Sequence, residues 1–227
     1  MIESLLHLDE VLTLALNGSH SLYADGLFTT ITATSTWLPL VPVLLYVLIR
    51  NNDFKRLGVV VLCLALCILF ADQVASGIFK PWVQRYRPAQ DPSILHMVDI
   101  VDGYRGGLYG FFSSHAANTF SVTTFVALLV RRRSLSLMLV SWALLNCWSR
   151  AYLGVHYVGD LLVGTLWGVV VGGLLYGAYH RLFPMPASVP SWSEQRFTVT
   201  GYRVAEADLL TFSFTLIYLY IAFAALW

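Results

Sequence analysis

Charge is scarce in this sequence of 227 residues: only 12% are Asp, Glu, Lys or Arg, whereas 57% are hydrophobic and the mean hydropathy is +0.67. Soluble domains carry about 25% charged residues, so that class is excluded and a polytopic membrane protein is expected. Cysteine is equally sparse. Cys63, Cys67 and Cys147 all fall in apolar runs, as reduced packing residues do, and an odd intramembrane set argues against a disulfide framework. Cys63 and Cys67 have no nearby histidine or acid to complete a metal site. The sequence also lacks an internal repeat and a soluble domain. Its start, MIESLLHLDE, carries acids where the n-region of a signal peptide would be basic.

What is present is apolar length. A bilayer core of roughly 30 Å needs about 20 apolar residues per helix. Six runs approach that length, at about 29–49, 57–79, 114–130, 134–152, 160–179 and 208–227. The expected fold is all-α: one membrane-embedded domain, a bundle of six transmembrane helices. Ahead of them Leu5, Leu8, Leu12 and Leu16 recur at helical spacing, with Glu3, Asp9, Glu10 and Asn17 at other positions. That pattern reads as an amphipathic helix within about 1–28, lying on the membrane surface. A first crossing at about 5–24 is the alternative.

Basic residues orient the bundle. One set of connections holds Arg50, Lys55, Arg56, Arg131, Arg132, Arg133, Arg181, Arg196 and Arg203, and by the positive-inside rule it is cytoplasmic. The opposite face still carries Lys80, Arg85, Arg87, Arg105 and Arg150. Five cations on the disfavoured side need a reason, and anion binding is the simplest. Two connections are long. The inner one, about 180–207, reads as a connector, with a docking or regulatory loop as the alternative; the outer one, about 80–112, is rich in Pro, Gly, Tyr and charge.

Three clusters meet at the outer face: KPWVQRYRP from Lys80 to Pro88, FSSH from Phe112 to His115, and Ser149-Arg150 followed by His156 and Asp160. A phosphoryl group in transfer spreads negative charge over three oxygens, and catalysis consists mainly of positioning and neutralising that charge. Lys80, Arg87 and Arg150 suit this task. A helix opening near His115 adds unpaired backbone N–H groups, and Ser113 can cap that end or bind phosphate directly. His156 and Asp160 lie four apart, sharing a helix face, so the carboxylate can hold one ring nitrogen and leave the other as nucleophile. His115 has no such partner and is the better proton donor to a leaving oxygen.

Other phosphatase chemistries fail on spacing. Six residues after Cys147 stands Leu153 rather than arginine, there is no paired-aspartate motif, and no two-metal ligand set. A serine nucleophile at Ser113 or Ser114 would need a base, and the adjacent His115 points elsewhere on a helix. Several polar residues remain open. Arg85 and Arg105 contact either a headgroup or solvent. Asp72, inside an apolar run, is either functional or hydrogen-bonded to Gln73 or a neighbouring helix. Asn118 and Thr119 either extend a polar helix face or contact substrate.

Lys80 with six residues before Arg87-Pro88, the Ser-x-His element, and Arg150 with five residues before His156 and three more before Asp160 together resemble the type 2 phosphatidic acid phosphatase superfamily. That family includes bacterial lipid phosphatases and vanadium haloperoxidases. The resemblance covers about 80–160 and departs from the usual Pro-Ser-Gly-His at Phe112 and Ser114. It implies a metal-independent phosphatase without cofactor, working through a phosphohistidine. His156 would be the nucleophile, Asp160 its orienting partner and His115 the general acid, while Lys80, Arg87, Ser113, the Ser114 backbone and Arg150 hold phosphate. Glycine presents its N–H closely, and serine can do so if its φ is negative.

The expected activity is removal of a terminal phosphate from a membrane lipid at the outer face of a bacterial inner membrane, with no nucleic-acid partner. An undecaprenyl diphosphate carrier and the phosphates of lipid A lead the candidate substrates, ahead of phosphatidylglycerophosphate and phosphatidic acid. A lipid phosphotransferase sharing the phosphohistidine, or a transporter that only binds the anion, are the rival readings.

Overall fold

A computed structural model describes residues 2–19, 21–184 and 196–226, and every regular element among them is helical. In chain order the α-helices are α1 (Ile2–Leu16), α2 (Leu22–Thr32), α3 (Thr34–Trp37), α4 (Leu40–Asn51), α5 (Phe54–Asp72), α6 (Lys80–Val83), α7 (Ser114–Val130), α8 (Arg133–Tyr152), α9 (Val158–Leu182) and α10 (Val204–Ala224), with short 3-10 turns at Pro88–Gln90 and Val101–Gly103. A π-helical segment, Gln73–Phe79, joins α5 to α6, making one continuous apolar helix of 30 residues. With α9 and α10 it is long and apolar enough to cross a bilayer; α7 is apolar but shorter. Leu162, Leu166 and Leu174 on α9 and Leu219 and Phe223 on α10 each leave more than half their surface exposed. Apolar faces of that extent belong in lipid. The protein is an integral membrane protein.

Where a continuous helix was expected at about 29–49, the chain instead bends by 66° after Thr32. Ala33 is extended and Pro39 precedes α4. The carbonyls released by the break stay satisfied, because Thr36 Oγ1 donates to Thr30 O at 2.7 Å and Trp37 Nε1 to Ile31 O at 2.8 Å. Such internal partners are what permit a broken helix at membrane depth. The other expected runs match α5 together with its π-helical extension, α7, α8, α9 and α10 within a few residues. Most of the inner connection's distinctive stretch, 185–195, lies outside the described residues.

The bundle is organised around α7, which packs on α9, α8 and α5. Gly164, Gly168 and Gly172 line the face of α9 toward α7, and a Cβ at Gly164 or Gly168 would lie 2.5 Å from Ser113 O or Ala117 O. Only glycine lets the two backbones approach so closely. This approach places the N-terminus of α7 beside that of α9. Antiparallel packing then gathers the ends of α6 and α8 there too. At the far end Arg132 pairs with Asp208 at 2.9 Å and Arg50 with Glu206 at 3.4 Å, joining α8 and α4 to α10.

The N-terminal helix is turned with its leucines outward: Leu5, Leu8, Leu12 and Leu16 are all exposed. Its inner face is polar. Asn17 Nδ2 donates to Tyr152 O at 2.8 Å and to Asp99 O at 3.0 Å, tying the end of α1 to the turn after α8.

Gly168→Val will overpack the α7–α9 contact and cost about 1–3 kcal/mol of stability. Gly173→Ala, where nothing lies within 4 Å, will leave the thermal unfolding midpoint in detergent unchanged. The pair of melting curves checks the assignment.

Candidate active site

The π-helical segment widens the helix immediately before Lys80, a distortion common at functional sites. It sets up a polar ladder. Ser76 Oγ lies 3.2 Å from Asp72 Oδ1 and takes a hydrogen bond from Lys80 Nζ at 3.0 Å. The same ammonium reaches Ser114 Oγ at 3.1 Å. Asp72, left open by sequence, thus supports the ladder that aims Lys80 at the start of α7.

That start is capped from within. Ser113 Oγ accepts from Ala116 N at 3.4 Å and Ser113 N donates to Asp160 O at 3.1 Å. The Ser113 side chain is fully buried in this cap, the first of the two roles the sequence allowed it. Capping leaves the N–H groups of Ser114 and His115 as the free donors of the first turn. Ser114 is the first residue of α7 and is absent from the positive-φ residues, so its Cβ costs no backbone strain where glycine would otherwise stand. Phe112 is buried against Phe79, ring centroids 5.1 Å apart. It fills the place of the usual proline with apolar packing.

The third cluster is formed by a tight turn between α8 and α9. Gly154 has φ +65°, and Val155 N donates back to Arg150 O at 3.1 Å. The turn brings His156 under Arg150. The Arg150 guanidinium donates to Thr32 Oγ1 at 2.7 Å and to Tyr104 OH at 3.1 Å, while its Nε is buried without a partner. Arg87 donates through Nε to Tyr109 O at 3.2 Å and through Nη1 to Val155 O at 3.3 Å. Arg105 lies apart, exposed and bonded to Ala89 O. Thr119 turns inward to its own helix carbonyls, and Asn118 Oδ1 is buried without a partner.

His156 Nδ1 faces Asp160 Oδ2 at 3.5 Å, both side chains almost fully buried. At this separation no hydrogen bond forms, and among the described residues Nδ1 has no other partner. Asp160 is held elsewhere: Oδ2 accepts from Tyr157 N at 3.2 Å and Oδ1 from Arg85 Nη1 at 3.0 Å. Burial first, and then Arg87, Arg150, Lys80 and His115, hold His156 well below the ordinary histidine value. The imidazole is therefore neutral. These groups lie close enough to act on His156 electrostatically, so the structure gathers Lys80, Arg87, His115, Arg150, His156 and Asp160 at one end of the bundle. Among the described residues no three His, Cys, Asp or Glu side chains converge as a metal site requires.

The sequence reading left Arg85 between headgroup and solvent and passed over Gly110. A Cβ at Gly110 would lie 2.8 Å from Asp160 Oδ2 and 3.5 Å from His156 Nδ1. Gly110 is therefore the wall behind the pair, held by its N–H donation to Arg85 O at 2.9 Å. No periodicity or motif marks a single glycine in a loop already rich in them.

The sequence model of the PAP2 superfamily matches residues 56–184, a stretch that contains all three clusters. The chain belongs to the PAP2 superfamily. A lipid A 4′-phosphatase of Bacteroides thetaiotaomicron is 41% identical over 183 residues, covering 80% of this chain and 81% of that protein. A lipid A 4′-phosphatase of Porphyromonas gingivalis is 32% identical over 218 residues, with 95% and 92% coverage. Among solved structures, a transmembrane PAP2-type phosphatidylglycerolphosphate phosphatase from Bacillus subtilis superposes with a TM-score of 0.61 at 22% identity, covering 81% of this chain and 90% of that one. This last likeness concerns the fold alone.

Gly110→Ala will displace the Asp160–His156 pair and lower kcat by about 100-fold, the cost of misplacing catalytic groups by about 1 Å. Gly107→Ala, with nothing within 4 Å of its Cβ position, will not. Steady-state phosphate release by the two variants tests the placement.

Proposed function

We propose that this PAP2 enzyme is a lipid phosphatase that removes the 4′-phosphate of lipid A, through a phosphohistidine on His156. The observation that carries the chemistry is the neutral, buried His156 beneath three cations, Lys80, Arg87 and Arg150, with Asp160 behind it. Asp160 faces Nδ1, leaving Nε2 as the attacking atom. In the first step the Nε2–P bond forms as the P–O bond to the sugar breaks, and His115 gives its proton to the leaving oxygen. Water then attacks phosphorus, losing its proton to His115, and the Nε2–P bond breaks to release inorganic phosphate. Through both steps Lys80, Arg87, Arg150 and the free N–H groups of Ser114 and His115 neutralise the equatorial oxygens. No residue in this scheme requires a metal or cofactor.

Lipid A moves ahead of the undecaprenyl carrier as substrate because relatives spanning most of this chain bear that name. Six crossings are supported by the helix directions: α2 to α4 as one bent crossing, then α5–α6, α7, α8, α9 and α10. The end bearing Arg50, Arg56 and Arg131 to Arg133 is then cytoplasmic, and the catalytic end opens toward the periplasm. With α1's leucines facing lipid, a substrate can enter from the outer leaflet with its headgroup still wet.

Purified protein assayed with lipid A, undecaprenyl diphosphate, phosphatidylglycerophosphate and phosphatidic acid, with chelator present, tests this reading. Lipid A will be hydrolysed fastest, its label appearing as inorganic phosphate rather than on an acceptor lipid. His156→Ala will lose at least about 1,000-fold in rate; full activity in that variant would exclude the mechanism, and loss with chelator would exclude metal independence.

The acid limb of kcat/KM set by His156 will fall below about pH 6.5, the ordinary histidine value. The sign follows from the site: a depressed pKa keeps the nucleophile neutral to lower pH. Arg87→Gln removes the cation that most lowers His156, so the limb will shift to higher pH while the rate falls by about 100-fold or more.

A further inference from the structure

The inner face of α1 reaches the catalytic end through three side chains spaced one helical turn apart, Asp9, Thr13 and Asn17. Asp9 Oδ2 accepts from Arg85 Nη2 at 2.8 Å, and Asp9 Oδ1 accepts from Gly159 N at 2.7 Å. Thr13 Oγ1, itself fully buried, accepts from Val158 N at 3.0 Å. Val158 and Gly159 are the first two residues of α9, whose N–H groups have no partner within the helix. A separate helix therefore supplies the cap. The contact is close: a Cβ on Gly159 would lie 2.7 Å from Asp9 Oδ2.

Arg85 is the second link. Its guanidinium bridges two carboxylates, Nη1 on Asp160 and Nη2 on Asp9, and lies over the Tyr157 ring at 3.9 Å from the centroid. Exposure of the Arg85 side chain is 20% and of Asp9 14%, against none for Asp160. A guanidinium held on two edges and one face cannot swing. Released from Asp9, it would be free to rotate, and Asp160 Oδ1 would follow it away from the geometry that aims Oδ2 at His156.

We propose that Asp9 is a positioning residue of the active site: acting through Arg85 and the first N–H groups of α9, it holds Asp160 in place behind His156. The inference rests on the phosphohistidine reading, since it assigns a support to that reading's orienting carboxylate. It also gives α1 a role in turnover beyond resting on the membrane.

Substitutions separate the two links. Asp9→Asn keeps an oxygen for Gly159 N but cannot accept from Arg85 through its amide nitrogen. Its kcat will fall about 10- to 100-fold, with KM within about twofold and the thermal midpoint unchanged. Glu10→Gln, the charge-matched control on the same helix, will match wild type. In an Arg85→Gln background Asp9→Asn will cause no further loss, because the link is already gone. Lipid phosphate release by these variants, with His156→Ala in parallel, gives the readout. Wild-type kcat in Asp9→Asn, or a loss that adds in full to that of Arg85→Gln, overturns the proposal. A proportionate fall in thermal midpoint with unchanged kcat per folded molecule also overturns it, as a purely structural role would. With Asp9→Asn unchanged but His156→Ala inactive, only the role of Asp9 fails; with His156→Ala fully active, both readings fail.

Discussion

A buried carboxylate is costly unless its oxygens are occupied, and Asp160, with no side-chain exposure, meets that demand by drawing partners from distant parts of the chain. Arg85 comes from the loop after α6, Tyr157 N from the turn before α9, and the Asp160 carbonyl accepts Ser113 N from the cap of α7. Each of the three sequence clusters thus contributes to one buried group. Fixing Asp160 fixes the relation between the start of α7 and the start of α9. Glycines at 164, 168 and 172 then extend that close approach down the bundle.

The cations around His156 pull the other way. Burial, followed by the neighbouring Arg150, lowers Arg87 from its usual value, a sign that like charges crowd the site. Their backbone and hydroxyl partners hold them apart at fixed positions, and the Nε of Arg150 is buried with none. A set of donors arranged in advance costs little reorganisation when a phosphoryl group arrives. The same crowding keeps His156 neutral, the form that the proposed nucleophile requires. Positioning and electrostatics here come from one arrangement.

Much of this was legible in the residues. Apolar run lengths located α5 and α7 to α10, loop charge put the three clusters on one face, and their spacing identified the family. What escaped depended on contacts between positions far apart in sequence. Arg85 looked unassigned because its carboxylates are Asp9 and Asp160, more than seventy residues away on either side. The break after Thr32 gives no strong sequence signal, since side chains of Thr36 and Trp37 repair the carbonyls it frees. The leucine stripe of α1 marked an amphipathic helix. Periodicity alone could not say that its polar face would cap another helix. At Ser114 the reverse held: the departure from glycine mattered less than the sequence suggested, because that residue is already helical.

The central claim is that phosphorus becomes covalently bonded to His156 during turnover. Rapid acid-free quenching of enzyme mixed with lipid A labelled at its 4′-phosphate, followed by peptide mapping, measures this directly. The account predicts label on the peptide containing His156, stable to base and labile to acid, and none in His156→Ala. Turnover at full rate with no label trapped on that histidine, together with inversion of configuration at a chiral phosphorus, would contradict it.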